Sequence, residues 1–562
     1  MKKSGAEIIV ALLERQGVEV VAGIPGGANL PLYDALTGSR IRHVLARHEQ
    51  GAGFIAQGIA RATGRAAVCF GTSGPGATNL LTAIADAKLD SVPVVAITGQ
   101  VATSLIGTDA FQEVDTYGLT LPITKHNFII RDAAELLEVI PEAFAIAQSG
   151  RPGPVVVDVP KDVQQQFHEF DAWPELGVPR AVSDVDKTLI SAFLDRLHQA
   201  ERPIIYAGGG VIASDAADAL AVLARRNNIP VALTLAGLGA FPCDDPLYLG
   251  MLGMHGSRAT NTAMDEADLV LALGVRFDDR ATGRVADFCC HGSIIHVDID
   301  PSEIDKIKPA NLAIVGDVGK ALCAVSQQVR LQDRAAWNSR ITELKAAHPM
   351  VPPAFPSMFN PVQLIERLGE LCGPETIITT DVGQHQMWVA QAYPFRRPRT
   401  FQTSGGLGTM GFGLPAAIGA ALACPNTPVV CVSGDGSLLM NIQELATLAE
   451  LNLNVKVVLL NNQHLGLVRQ QQELFYGQRY IASAFQTSPD FAAIAAGFGI
   501  RSYDMGTNPN GEEALWHALQ QAGPGLINVP IHTAENVLPM VPPGKANHES
   551  IGGEAIHASL SA

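Results

Sequence analysis

The sequence is poor in charge, and the charge it has leans one way. Only 17% of the 562 residues are Asp, Glu, Lys or Arg, while 47% are hydrophobic. With 39 basic and 55 acidic side chains the net charge is −16, which argues against nucleic acid or an anionic membrane as partner. Cysteine is scarce: eight residues, scattered, with no CxxC, and the adjacent Cys289 and Cys290 lack metal-ligand spacing. They read as buried, reduced thiols of a cytoplasmic enzyme. Long apolar runs are missing too. The longest, residues 411–424, is too short to cross a bilayer and contains Pro415, so it reads as a buried helix. The N-terminus MKKSGAEIIVALLERQG begins basic, but its apolar run is short and is followed by Glu14 and Arg15. Ser4 and Glu7 form a capping-box pattern instead, so neither a signal peptide nor a transit peptide is expected.

What is abundant is alternation of helix and strand signals. A chain of this length holds two to four domains. Ile8, Ile9, Leu12 and Leu13 repeat at helical spacing, and Gly17 stops that helix. Strands are expected at 18–24, 43–46, 66–72, 93–98 and 154–159, then at 203–207, 230–233, 269–273 and 294–299. Such runs are typical of doubly wound parallel sheets, whose ligands lie beyond the carboxyl ends of strands. Non-periodic segments divide the chain. Residues 164–185 contain Pro174 and Pro179, and 346–361 contain Pro349, Pro352, Pro353 and Pro356. The expected α/β domains are therefore 1–170, 186–335 and 362–540, with a mobile polar tail at 541–562. The first and third echo each other, TSGPG (72–76) against TSGGLG (403–408) and GPVVVDVP (153–160) against GPGLINVP (523–530).

Residues 434–462 carry the strongest chemical signal. Gly434-Asp435-Gly436-Ser437 follows one apolar run, a helical segment comes next, and a second apolar run ends in Asn461-Asn462. Neighbouring parallel strands joined by a right-handed crossover place Asp435 and Asn462 at one sheet edge. A carboxylate and an amide oxygen beside backbone carbonyls suit Mg²⁺, completed by phosphate oxygens, and a helix beginning near Ser437 favours an anion there. An ordinary βαβ unit with a Gly-Asp turn is the plainer alternative. Glu49, in RHEQGA (47–52), stands at a strand–helix junction; alone it needs no more explanation than the helix dipole.

The GDG…NN spacing resembles the signature of thiamine diphosphate enzymes. Longer motifs narrow the resemblance: RHEQGAGFIAQGIARATG (47–64), TSGPGATN (72–79), GTDAFQEVD (107–115), RPGPVVVDVPKDV (151–163), GMLGMHG (250–256), GVRFDDR (274–280), TTDVGQHQMW (379–388) and TSGGLGTMGFGLPAA (403–417). From about residue 4 to 545 the chain is similar to the catalytic large subunit of acetohydroxyacid (acetolactate) synthase. It resembles the biosynthetic, FAD-containing type and, within it, bacterial isozyme I.

The resemblance implies three α/β domains: pyrimidine-binding, FAD-binding, and diphosphate/Mg²⁺-binding. It implies decarboxylation of pyruvate and transfer of the two-carbon unit to a second pyruvate or to 2-ketobutyrate, in branched-chain amino acid biosynthesis. Glu49 would pair with the cofactor's pyrimidine ring, and Met410 would be the apolar wedge that bends the cofactor. Val382, Gly383, Gln384, His385 and Gly408 would lie along it, and Gly436 and Ser437 would hold its diphosphate. Asp435 and Asn462 would bind Mg²⁺, with His464 through its carbonyl. Gly27, Phe111, Gln112, Lys161, Met251 and Arg276 would form the substrate pocket, with Gln112 and Lys161 counted as catalytic. Arg276 has the clearest rationale, a guanidinium for the second substrate's carboxylate, against a surface pair with Asp278 or Asp279. FAD would be structural, lying along Arg151, Gly208, Gly209, Gly210, Thr234, Leu235, Leu252, His255, Gly274, Arg276, Asp278, Arg280, Asp298, Ile299, Asp317 and Val318.

Two positions depart from the family pattern. Gln471 stands where many members carry Trp, which implies little preference for 2-ketobutyrate over pyruvate, and Ile24 replaces a usual Tyr. Catabolic acetolactate synthase, pyruvate oxidase and glyoxylate carboligase are rival readings on the same fold; the last lacks the carboxylate of Glu49. A non-catalytic descendant would have lost Glu49, Asp435 or Asn462, and all three are present. The resemblance further implies a homodimer or homotetramer joined by a small regulatory subunit.

Overall fold

A computed structural model describes residues 1–350, 359–507 and 511–552. Pro352, Pro353 and Pro356 of the second expected break lie outside the described residues. The chain forms three six-stranded, wholly parallel sheets. The first contains β1 (Val20–Gly23), β2 (Arg42–Leu45), β3 (Ala67–Gly71), β4 (Val94–Gln100), β5 (His126–Ile129) and β6 (Val155–Pro160). The second contains β7 (Pro203–Ala207), β8 (Val231–Leu233), β9 (Tyr248–Met251), β10 (Leu269–Leu273), β11 (Ser293–Asp298) and β12 (Leu312–Val315). The third contains β13 (Ile377–Thr380), β14 (Phe401–Gln402), β15 (Val429–Gly434), β16 (Val455–Asn461), β17 (Arg501–Asp504) and β18 (Gly525–Pro530).

The strand orders are informative. The first sheet runs β2-β1-β3-β4-β6-β5 and the third β14-β13-β15-β16-β18-β17, so the two share one permutation. The second runs β9-β8-β7-β10-β11-β12, the order of dinucleotide-binding sheets, in which the chain reverses direction between its first and fourth strands. One sequence echo is topologically equivalent, since 153–160 and 523–530 form the sixth strand of each unit. The other is not: 72–76 follows the third strand, whereas 403–408 follows the second. A glycine-rich turn suits any strand end that receives a ligand, so its likeness does not fix register.

Central strands are apolar on both faces because helices cover both sides; β7, β10 and β16 are buried almost throughout. The first helix, Gly5–Arg15, starts at Ser4, whose side chain and that of Glu7 form the reciprocal cap. The segment expected as a linker is partly structured. Phe167–Glu169 pairs antiparallel with Lys2–Ser4, and Phe170 and Trp173 pack on the first core. The helix expected after Gly434 is broken into Asp435–Leu438 and Glu444–Leu451, with the intervening Asn441 bonded through its side chain to Gly411 O at 2.8 Å.

Two further expectations are corrected. Residues 541–552 are packed rather than free. Val541 N–H donates to Met254 O at 2.8 Å, and the buried Asn547 side chain donates to Ala281 O at 2.8 Å, so polar residues there satisfy backbone of the second unit. The cysteines are all free, but only Cys69, Cys289 and Cys431 are buried, while Cys290 and Cys323 are exposed. No helix among the described residues is long and apolar enough to cross a membrane.

Four helices position the site: α1 (Glu49–Thr63), α2 (Pro75–Leu89), α3 (Gln384–Ala392) and α4 (Gly413–Ala423). Helices α1 and α4 come from different units and cross at very short range. A Cβ at Gly58 would strike Ala416 O, and one at Gly419 would strike Ile55 O. Gly419→Ala is therefore expected to destabilise this junction by about 1–3 kcal/mol, as overpacking does. Urea unfolding checks this, and an unchanged first transition would contradict so tight a crossing.

Candidate active site

In the first unit the candidate residues collect at the carboxyl edge of the sheet. Gly27 follows β1, Glu49 follows β2, Phe111 and Gln112 follow β4, and Lys161 follows β6. Glu49 opens α1 behind the cap His48 and is buried, and its Oε2 accepts from Asn79 Nδ2 at 2.9 Å. Among the described residues its carboxylate has no hydrogen-bond partner in the third unit. Gly27 is exposed, Phe111 is 87% exposed, and Gln112 holds a left-handed φ of 61° against Gly74. A large apolar side chain so placed marks an interaction or ligand-binding surface.

The third unit repeats the pattern. Val382–His385 follows β13, Gly408 and Met410 follow β14, Asp435–Ser437 follows β15, and Asn462–His464 follows β16. Asp435 and Asn462 stand at the tips of adjacent parallel strands, as their spacing predicts. Asp435 accepts from Gly436 N–H at 2.9 Å and Gln463 N–H at 2.6 Å. Burial raises its pKa to about 6, and among the described residues no cationic side chain bonds to it. Asn462 Oδ1 accepts from His464 N–H at 3.0 Å, while its amide donates to Gln384 Oε1 at 3.1 Å. One carboxylate, one amide oxygen and nearby carbonyls form an all-oxygen set that fits Mg²⁺ short of charge, with room for phosphate. Among the described residues no three His, Cys, Asp or Glu side chains converge as a metal cluster.

An anion fits beside it. The start of α3 has no side-chain cap, and Gly383 there holds φ 153°. His385 Nε2 is buried without a partner, and burial lowers the pKa of the imidazole to about 3, so it stays neutral. The Ser437 hydroxyl donates to Val382 O at 2.7 Å, tying two of these loops together. A residue that sequence reasoning passed over completes the frame. Asp381, in the TTDVGQH motif, accepts from Gly411 N–H at 2.6 Å and from the Ser433 hydroxyl at 2.9 Å. Its signal was an acid ending a buried strand. Glu444 was likewise missed: it accepts from Arg47 N–H at 2.9 Å and His48 N–H at 3.1 Å, so it braces the loop before Glu49 from the third unit.

The second unit presents Gly208–Gly210 after β7 and Gly274–Arg276 after β10, flanking the reversal point of the sheet. Their backbones touch, since a Cβ at Gly210 would meet Gly274 Cα at 2.6 Å. Tyr206 Oη, Thr234 Oγ1 and His255 Nδ1 are buried there without partners. A dinucleotide fits this edge by strand order and by these orphaned polar atoms. Several acids named for it also act on the fold. Asp278 caps Arg280 and Ala281 N–H at 3.1 Å each, and Asp317 caps Lys320 N–H at 2.9 Å. Burial raises the pKa of Asp298 to about 6. Leu235, Leu252, Ile299 and Val318 line the same edge. Arg151 stands apart, before β6, and bonds to Asp300 at 3.2 Å, Glu303 at 2.6 Å and Ser91 at 2.8 Å, bridging the first and second units. Arg276 is half-buried with no ion pair among the described residues, and Asp279 instead faces Arg280 at 3.8 Å. Met251 ends β9, buried, and Gln471 is exposed on the helix Gly466–Phe475.

Comparison with known proteins agrees along the whole chain. Three family models match: thiamine pyrophosphate enzyme, N-terminal TPP binding domain (residues 3–119), central domain (190–325) and C-terminal TPP binding domain (381–529). The chain is 52% identical over 550 residues to the acetolactate synthase isozyme 1 large subunit of Escherichia coli (strain K12), covering 98% of each. It is 47% identical over 554 residues to the isozyme 2 large subunit of the same organism, covering 98% of this chain and 99% of that one. It is 47% identical over 568 residues to acetolactate synthase 1, chloroplastic, of Oryza sativa subsp. japonica, covering 98% and 88%.

Asp381 yields a pH prediction. Burial raises its pKa to about 6, above the ordinary carboxylate value of 3.8, so the native state binds this proton more tightly than the unfolded chain. Its stabilising contribution is present below the ordinary value and is lost as pH rises towards 6. Asp381→Asn should therefore gain on the parent in urea midpoint between about pH 4 and 6, whereas Asp381→Ala, which strands two donors, should lose about 1–3 kcal/mol. A parallel pH dependence for parent and Asn variant would contradict this.

Proposed function

The chain belongs to the acetolactate synthase large-subunit family of thiamine diphosphate enzymes, and from that premise we propose how its residues divide the work. The activity is formation of 2-acetolactate from two molecules of pyruvate, or of 2-aceto-2-hydroxybutyrate when 2-ketobutyrate is the second substrate. The observation that carries the site assignment is Asp435 beside Asn462 at adjacent strand tips, a buried acid with no cationic partner among the described residues. Asp435, Asn462 and the carbonyl of His464 hold Mg²⁺. Gly436, Ser437, Gln384 and His385 hold the diphosphate, and Val382, Gly408 and Met410 line the ring system.

When bound, thiamine diphosphate supplies the carbon acid and electron sink for decarboxylation. Glu49 supplies the carboxylate that holds a proton at the pyrimidine nitrogen, kept in place by Asn79. Arg276 takes the carboxylate of the second substrate in bidentate fashion, which a guanidinium with no ion pair among the described residues permits. Gly27, Phe111, Gln112, Lys161 and Met251 close the pocket and exclude water. Gly208–Gly210 and Gly274–Arg276, at the reversal point of the second sheet, would hold FAD, which would serve a structural role because the overall reaction involves no net redox change.

In each site Glu49 would come from one copy of the chain and the Mg²⁺ residues from another, so a homodimer would be the smallest active form, and a homotetramer would repeat it. The relatives are named large subunits, and a small regulatory subunit is the partner that name implies. The cytoplasm suits the free thiols.

Glu49→Gln is expected to lower kcat for acetolactate at least about 100-fold, the usual weight of a positioned acid or base, with unchanged melting temperature. Full activity in that variant would remove Glu49 from the mechanism. In competition assays Gln471 should give at most a weak preference for 2-ketobutyrate, and Gln471→Trp should raise it; strong preference in the parent would refute the assignment.

A further inference from the structure

Among the acids the mechanism does not use, two lie on and at the end of α2. Asp86 lies on α2 and is 0% exposed, and Asp90 is the residue that ends that helix. An acid at a helix C-terminus is unfavourable with the helix dipole, so Asp90 is not there for α2. Both carboxylates face the third unit. Asp86 Oδ1 accepts from the hydroxyls of Ser404 and, at 3.0 Å, Thr409, while Thr409 N–H donates to Ser404 Oγ at 2.8 Å. Asp90 accepts from two successive amides, Gly405 N–H at 2.9 Å and Gly406 N–H at 2.7 Å. Arg61 of α1 bonds to Asp90 at 2.8 Å, stands 3.7 Å from Asp86, and lies over the Phe412 ring at 5.1 Å.

These contacts grip one loop at both ends. Residues 405–408 are otherwise exposed, and a Cβ at Gly406 would come within 2.9 Å of both Asp90 Oδ1 and Leu89 Cβ. At Gly406 a side chain would crowd this approach, whereas at Gly405 a Cβ would meet only ordinary contacts; two successive amides on one carboxylate form an anion-binding arrangement of backbone N–H groups. Gly408 and Met410 hang from this grip.

We propose that Asp86 and Asp90, held by Arg61, are positioning residues that fix the 403–410 loop and so set where Gly408 and Met410 stand in the reaction site. The first unit of a chain thereby disciplines the third unit of the same chain, although its own Glu49 serves a different copy. The proposal rests on the assignment of Met410 given above.

The test uses the full chain with thiamine diphosphate, Mg²⁺ and FAD. Asp90→Asn and Ser404→Ala are each followed by hydrogen–deuterium exchange of residues 403–410, by melting temperature, and by separate kcat and KM for pyruvate. Ser404→Ala is the milder change should Asp90→Asn fold poorly. Exchange in the segment should speed up at least about tenfold, with exchange elsewhere unchanged. Thiamine diphosphate affinity should fall, and kcat should drop towards the roughly 100-fold that a 1 Å misplacement costs, with KM nearly constant. Unchanged exchange in 403–410, or faster exchange with unchanged kcat and cofactor affinity, overturns the proposal. Met410→Ala separates the two ideas. If it leaves kcat intact, the assignment of Met410 falls. If it lowers kcat while a loosened loop does not, the positioning role of the two acids falls and the assignment of Met410 stands.

Discussion

The close crossing of α1 and α4 governs how this chain can work. Gly58 against Ala416 and Gly419 against Ile55 bring two helices nearly backbone to backbone, joining the first and third units of one chain. Glu444 and Asn441 extend that junction to Arg47, His48 and Gln50, and Arg61, Asp86 and Asp90 extend it to the Ser404–Thr409 loop. Buried polar groups are bonded across it, so it is specific as well as tight. The candidate groups themselves remain at the carboxyl edges of their own sheets. Among the described residues Glu49 has no hydrogen bond to the third unit, and Gly27 and Phe111 are exposed. A chain locked in this way offers two half-sites, which supports the proposal that a second copy supplies the complement.

Duplication explains the economy of the design. The first and third sheets share a strand permutation, so each presents loops at equivalent strand ends, yet their chemistry has diverged. The third unit collects a buried acid, an amide and uncapped backbone N–H groups suited to metal and diphosphate. The first offers a carboxylate held by Asn79. The second sheet has the dinucleotide order and orphaned polar atoms at its reversal point, features that fit a dinucleotide. Sheet order thus separates scaffold from chemistry before any side chain is considered.

Much of this was legible in the sequence, for identifiable reasons. Strands β7 and β10 match their expected limits to the residue, because they are buried on both faces and end at glycines. Asp435 and Asn462 could be brought together because a parallel crossover has one hand. The edge strands β5, β9 and β12 were not foreseen: each is only four residues long and only partly buried. Nor were the bonds of Asp86, Asp90 and Glu444, which join residues more than 300 positions apart and leave no local pattern. The tail at 541–552 misled because its polar side chains bind backbone of another unit, and composition does not distinguish that from solvation.

Complementation between two inactive variants tests most directly whether the site is shared between chains. Chains carrying Glu49→Gln are mixed with chains carrying Asp435→Ala, dissociated, reassociated, and assayed for acetolactate. If each site takes Glu49 from one copy and Asp435 from another, every mixed dimer holds one intact site. Random pairing then restores up to about one quarter of the parent activity. If both residues act within one chain, every site in every dimer carries a lesion, and the mixture stays inactive.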